Sequence, residues 1–286
     1  GQSEPPGLIA GLRRELGLRV HNFGVVGSGP DQGLWLLQQR ALPLRPRVVV
    51  WFIYGGNDFL NAHFLRTARA GGAVTHGDQQ RAARRPLVIL PSLVASWLAG
   101  EPEPMHDELP PVAIAGCGET VTWFHPDTLR FQALPLSVMS ESEAWTGIAA
   151  ALDTAKAACA AANARLLVVY LPSKEQLVLP LCVDDASLLQ RYLARSMLQP
   201  IQVPSRAEEL LPLLRANCGN FENLVVDHCR AHGIACWSAT DVLRRAVAAC
   251  VEVYYRADSH WRAEGQNAVL PGLVEQLRAL GSGRPR

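Results

Sequence analysis

"RVVVWFIYGGND", residues 47–58, runs seven apolar residues (48–54) straight into two glycines, an asparagine and an aspartate. A strand with one wet face alternates apolar and polar side chains. An unbroken apolar run bounded by a turn predicts a strand covered on both faces, the kind that parallel sheets use. The same pattern recurs in "RLLVVYLPSKE" (165–175), and more briefly in "IACW" (234–237), which follows a glycine-closed helix "NFENLVVDHCRAHG" (220–233). Upstream, "RVHNFGVVGSGPDQG" (19–33) reads as a short strand at 19–23 entering a glycine-rich turn, and "DQGLWLLQQRAL" (31–42) as a helix that "PLRP" stops.

Helical spacing also marks "GLIAGLRRELGL" (7–18) and "SESEAWTGIAAALDTAKAACAAANA" (140–164), the latter with Ser-x-x-Glu capping options. "RAEGQNAVLPGLVEQLRAL" (262–280) reads as a final helix that Pro271 should kink or split. Strands alternating with helices define an α/β chain with a parallel sheet covered on both sides. Residues 62–139 break the rhythm with proline and glycine. "ETVTWFHPDTLRFQAL" (119–134) suggests a hairpin around "HPD" within an insertion packed over the sheet of a single domain, 1–286. Trp35, Trp51 and Phe52 are expected in the core.

The 286 residues are 49% hydrophobic and 19% charged, enough for a sizeable core. With 27 basic and 26 acidic residues the net charge is +1, which gives no electrostatic case for nucleic acid. The apolar runs, of which "PLVILPSLVASWLAG" (86–100) is the longest, are too short to span a bilayer, so no transmembrane segment is expected. Seven cysteines with no Cys-x-x-Cys pair leave at least one thiol unpaired and no readable disulfide framework. His228, Cys229, His232 and Cys236 match no common zinc-finger spacing, so neither metal nor cofactor is expected.

Ligands of open parallel sheets bind beyond the carboxyl ends of the strands. Three polar turns should meet there, at Gly24–Asp31, Gly55–Asp58 and Pro172–Glu175, and "DSHW" (258–261) leads into the last helix beside them. In extended backbone, residues i and i+2 project to one side. The Asp258 carboxylate can then accept from Nδ1 of His260 and leave Nε2 free as a base, provided the helix starts no earlier than about Trp261. For a nucleophile the chain offers Ser3, in "GQSEPPG", at a turn into a helix. The Gly27 N–H and the Asn57 amide, with the Ser3 N–H, can converge on one developing oxyanion. Lys174 and Glu175 are weaker candidates for contact with substrate.

These four stretches together ("GQS", "NFGVVGSG", "GGND" and "DSHW" followed by "RAEG") resemble the blocks of the SGNH hydrolases, the GDSL-type esterase superfamily. The resemblance spans nearly the whole chain apart from 62–139. It implies a three-layer α/β/α, flavodoxin-like fold with strand order 2-1-3-4-5, Ser3 as nucleophile, Asp258 and His260 completing the triad, and Gly27 and Asn57 in the oxyanion hole. The implied activity is hydrolysis of O-acyl esters of small molecules or carbohydrates, O-acetyl groups among them, through an acyl-enzyme. An O-acyltransferase with the same triad and a non-catalytic carbohydrate-binding domain are the rival expectations.

The chain departs from the family pattern in three places. Gln2 replaces the usual aspartate of the first block. The last block is Asp-x-His rather than Asp-x-x-His, a form that resembles SGNH proteins of the bacterial cell envelope. The strand expected before Ser3 is not in the sequence, which suggests a parent chain extending further N-terminally.

Overall fold

The computed structural model describes residues 7–25, 28–69, 109–182, 185–196 and 206–282. In chain order the elements are α1 (Leu8–Leu16), α2 (Pro30–Leu36), β1 (Val48–Tyr54), α3 (Asp58–Arg69), β2 (Val112–Ala113), β3 (Val121–Thr122), α4 (Pro126–Phe131), α5 (Leu136–Ser140) and α6 (Glu143–Ala161). There follow β4 (Arg165–Leu171), α7 (Lys174–Val178), α8 (Ala186–Ala194), α9 (Ala207–Asn217), α10 (Asn220–Ala231), β5 (Ala235–Ser238), α11 (Thr240–Ala248) and α12 (Ala263–Ser282).

β1, β4 and β5 form a parallel sheet in that order, with β4 in the middle. Leu167, Val168, Val169 and Tyr170 are successive and all buried, so both faces of β4 are covered, as the apolar run predicts. Register partners in a parallel ladder share a face, and neighbours along a strand alternate. Trp51 pairs with Val168 and packs on Gly33 of α2, while Tyr170 meets Phe221 of α10 edge-on at 5.9 Å. On the opposite face Phe52, Val169 and Trp237 align, and Trp237 lies against Gly272 of α12. The chain is therefore α/β, with a three-stranded parallel sheet and helices against both faces. Each fully buried large apolar side chain here contributes ~1.5–3 kcal/mol of transfer free energy.

Several expectations need correction. Residues 19–23 form no strand: the segment has no regular structure and is largely exposed. Its Val20 carbonyl accepts from the Arg13 guanidinium, and the Gly24 N–H turns back to Asn22 Oδ1. A segment becomes a strand only when a neighbour meets its hydrogen bonds, and none of the described strands lies beside this one. "HPD" starts a helix rather than a hairpin, because Pro126 at the first helical position and Asp127 in the first turn suit a helix N-terminus. The hairpin of β2 and β3 turns instead through Gly116 and Gly118, both at positive φ (79° and 60°). "PSKE" likewise begins a helix, α7, capped by Ser173 Oγ, which accepts from the Gln176 N–H at 3.1 Å. Trp35 is exposed rather than core, whereas Trp51 is buried.

α12 runs unbroken through Pro271. The carbonyl that loses its partner belongs to Asn267, which is exposed to water. The part of 62–139 that can be described belongs to the main core: Leu129, Phe131, Leu134 and Met139 are buried within it, and α3 extends to Arg69. The run at 86–100 lies outside the described residues, among which no helix is long and apolar enough to cross a membrane. One disulfide, Cys117–Cys250, joins the β2–β3 hairpin to the end of α11 with Cα atoms 5.3 Å apart. Cys159, Cys182, Cys218, Cys229 and Cys236 are free thiols.

Candidate active site

The carboxyl end of β1 passes directly into the Gly55–Asn57 turn and α3. Both glycines are required by close packing. A Cβ on Gly55 would stand 2.3 Å from the Tyr170 hydroxyl, and one on Gly56 2.3 Å from the Tyr54 ring. The turn is held from three sides. Asp58 Oδ2 accepts the Tyr54 N–H at 2.8 Å, Gln132 Nε2 donates to the Gly55 carbonyl at 3.3 Å, and the Thr128 hydroxyl reaches the Gly56 carbonyl at 3.4 Å. Asp58 is buried, and burial pushes its carboxyl up to about 7 even though the Tyr54 N–H acts in the opposite direction. Asn57 stands just before α3 with its side chain exposed. Gly29, in the turn before α2, packs against Asn61 one helical turn further on.

The Asp258–His260 segment is non-helical, and α12 begins at Ala263. The segment lies at the tip of a tight reversal. Tyr254 and Trp261 form an antiparallel bridge, the Tyr255 N–H donates to the His260 carbonyl at 3.1 Å, and the Arg262 N–H donates to Val253 at 3.0 Å. The reversal leans on α12 at Gly265, where a Cβ would come within 2.4 Å of the Val253 carbonyl oxygen. Asp258 Oδ1 accepts the His260 backbone N–H at 2.8 Å and lies 2.5 Å from Nδ1 of the ring. Burial acts to raise the Asp258 carboxyl, but the His260 N–H and ring, aided by Lys174, outweigh it and hold the group below the usual carboxylate range. The His260 side chain is 72% exposed, so the imidazole is open to solvent beyond its Nδ1 contact.

Two contacts fasten this reversal to the sheet. The Tyr54 hydroxyl donates to the Ser259 carbonyl at 3.2 Å, linking the end of β1 to the dyad. Lys174 Nζ donates to the carbonyls of Tyr255, Arg256 and Asp258 at 3.2, 2.9 and 3.0 Å. Burial lowers the Lys174 ammonium to about 8, with Glu175 and Asp258 opposing the shift. Lys174 and Glu175, the weaker candidates for contact with substrate, lie beneath the rim. Both are buried; Lys174 anchors the loop from beneath, and Glu175 accepts the His125 N–H at 2.8 Å.

Sequence reasoning missed the anchoring role of Lys174, the Tyr54 strut and the buried network behind the rim. In that network Gln176 accepts from Tyr170 and donates to Glu222, which also accepts from Ser238 and Thr240. The one available signal was the scarcity of lysine, Lys156 and Lys174 being the only two in the chain. Ser3 and Gly27 lie outside the described residues, so the site consists here of Asn57, Asp258 and His260 with their supports. Chemically, it presents a carboxylate-oriented imidazole in a loop tied to the end of β1, and an exposed asparagine in the turn that follows that strand. No family model, curated protein or solved structure matches the chain.

Proposed function

We propose that this chain is a serine esterase of the SGNH type, with a three-layer α/β/α, flavodoxin-like fold, cleaving O-acyl esters such as carbohydrate O-acetyl groups. Ser3 Oγ attacks the ester carbonyl while His260 Nε2 takes its proton. Asp258 fixes the imidazole and stabilises the imidazolium that forms. The N–H groups of Ser3 and Gly27 and the Asn57 amide receive the developing oxyanion. His260 then returns the proton to the leaving alcohol, and water resolves the acyl-enzyme.

The observation that carries this reading is the 2.5 Å contact between His260 Nδ1 and Asp258, in a loop that Tyr54 ties to the "GGND" turn. A surface pair that merely capped a helix would need neither the strut nor the buried lysine. The start of the chain is compatible with the reading. The Leu8 N–H, at the head of α1, donates to Gln266 Oε1 at 2.7 Å, a short way into the helix that follows His260. The five residues from Ser3 to Leu8 reach at most ~17 Å.

The test is labelling with a fluorophosphonate probe, together with hydrolysis of p-nitrophenyl acetate. The wild-type chain should label and turn over. Ser3→Ala should abolish both, and His260→Ala should lower the hydrolysis rate by ~100-fold or more. Labelling that survives Ser3→Ala, or none at all in the wild type, removes the proposal. Turnover that appears only with an added sugar acceptor would make the enzyme a transferase.

A further inference from the structure

At the opposite end of the sheet, three side chains converge that the esterase reading does not use. His228 lies in the last turn of α10 and His232 caps its carboxyl end, so the two rings stack at 3.9 Å. From α6, Asp153 presents one oxygen to both: Oδ1 stands 3.1 Å from His228 Nε2 and 2.8 Å from His232 Nδ1. The four-residue grouping seen in the sequence is split by the fold. Cys229 turns inward and is fully buried, while the two histidines turn outward to Asp153 of α6.

We propose that Asp153, His228 and His232 form a binding site for a divalent transition-metal ion of the zinc type, which braces α6 against α10. A tetrahedral zinc ion with bonds of about 2.0–2.1 Å holds its ligand atoms about 3.3 Å apart. The two separations from Asp153 are close to that edge, and the half-exposed His232 ring, now stacked on His228 at 26°, turns out of the stack to aim Nδ1 at the ion. Two imidazoles and one carboxylate select zinc, cobalt or nickel over calcium or magnesium, which prefer all-oxygen shells. His228 is largely buried, with the Trp145 ring edge-on at 5.7 Å, which fixes one ligand in place. Asp153 and His232 are 41% and 45% exposed, which gives the ion a path from solvent and leaves the fourth position to water.

The electrostatics are compatible with a cation. The carboxyl end of α10 carries the negative pole of its dipole. Lys156 is near, but its ammonium is held by the His232 carbonyl at 2.5 Å rather than by Asp153. To bind the ion, His228 Nε2 and His232 Nδ1 present lone pairs, each neutral ring carrying its single proton on the other nitrogen. The site is separate from the candidate active site. Glu222, at the rim, precedes His232 by ten residues, about 15 Å along α10.

The test uses the untagged full chain, stripped with a chelator and titrated with Zn2+ against a fluorescent indicator. One equivalent should bind, and the melting temperature should rise with Zn2+ concentration. Asp153→Asn and His232→Gln should each weaken binding by at least ~10-fold, with metal-free circular dichroism unchanged. The Co2+ complex should show ligand-field bands without thiolate charge transfer, and Cys236→Ser should leave affinity unaltered. The absence of saturable binding overturns the proposal. So does affinity that survives His232→Gln, or thiolate charge transfer that Cys236→Ser removes.

Discussion

Asp58 shows how a single residue both holds the "GGND" turn and titrates. Its carboxylate is buried and takes the Tyr54 N–H, yet burial raises the group to about 7 from an ordinary value of 3.8. Between those values the folded chain holds a proton that the unfolded chain has released. This group therefore contributes a stability that is full below about pH 4 and lost as pH rises towards 7, by at most ~4 kcal/mol. Asp58→Asn keeps an acceptor for the Tyr54 N–H and should abolish that slope, making the variant more stable than wild type at pH 8. Urea denaturation at pH 5 and pH 8 measures it, and equal slopes in the two proteins would refute the burial argument. The Asp258–His260 contact was legible at this scale because both residues are local, two positions apart, although the backbone between them bends and is not extended. The role of Lys174 was not, since its acceptors lie 81–84 residues away.

Among the elements, α7 and the 254–261 reversal form a coupled pair. One ammonium satisfies three carbonyls of a loop that would otherwise depend on its own short turns. Lys174→Met keeps the buried stem but removes the donors, and should cost ~2–4 kcal/mol through the orphaned carbonyls. It should also reduce p-nitrophenyl acetate hydrolysis without touching the dyad itself. Heat denaturation and turnover, read together, test this; a variant that melts like wild type shows that the lysine does not hold the loop. The misreading of "HPD" and "PSKE" belongs to this scale too. Proline and serine mark turns and helix starts alike, and which of the two forms depends on what the next turn buries, here Leu129 and Phe131 in one case and Leu177 and Val178 in the other.

Across the whole molecule, the Cys117–Cys250 bridge closes a separation of 133 residues and pins the β2–β3 hairpin next to the loop that leads to Asp258. Limiting the freedom of so long an unfolded segment is worth ~2–4 kcal/mol. Reduction should lower the denaturation midpoint accordingly, whereas Cys250→Ser should start from the lower value and no longer respond to reductant. An identical midpoint with and without reductant in the wild type would show that the bridge adds nothing. Long-range pairing of this kind was illegible in advance, because seven cysteines without a motif allow many partners.

The sequence by itself pointed to the sheet: the apolar runs at 48–54 and 165–171 are short, rich in β-branched residues and bounded by turns, which suits strands packed under helices. It also determined the carboxylate–imidazole pair, through a spacing that needs no partner from elsewhere. Tertiary structure alone decided that residues 19–23 lie beside none of the described strands, that Lys174 is buried against the carbonyls of the Asp258 loop, and that His228 and His232 meet Asp153. Each of those outcomes depends on which distant backbone or side chain supplies the missing hydrogen bond, and a linear pattern carries no record of that neighbour.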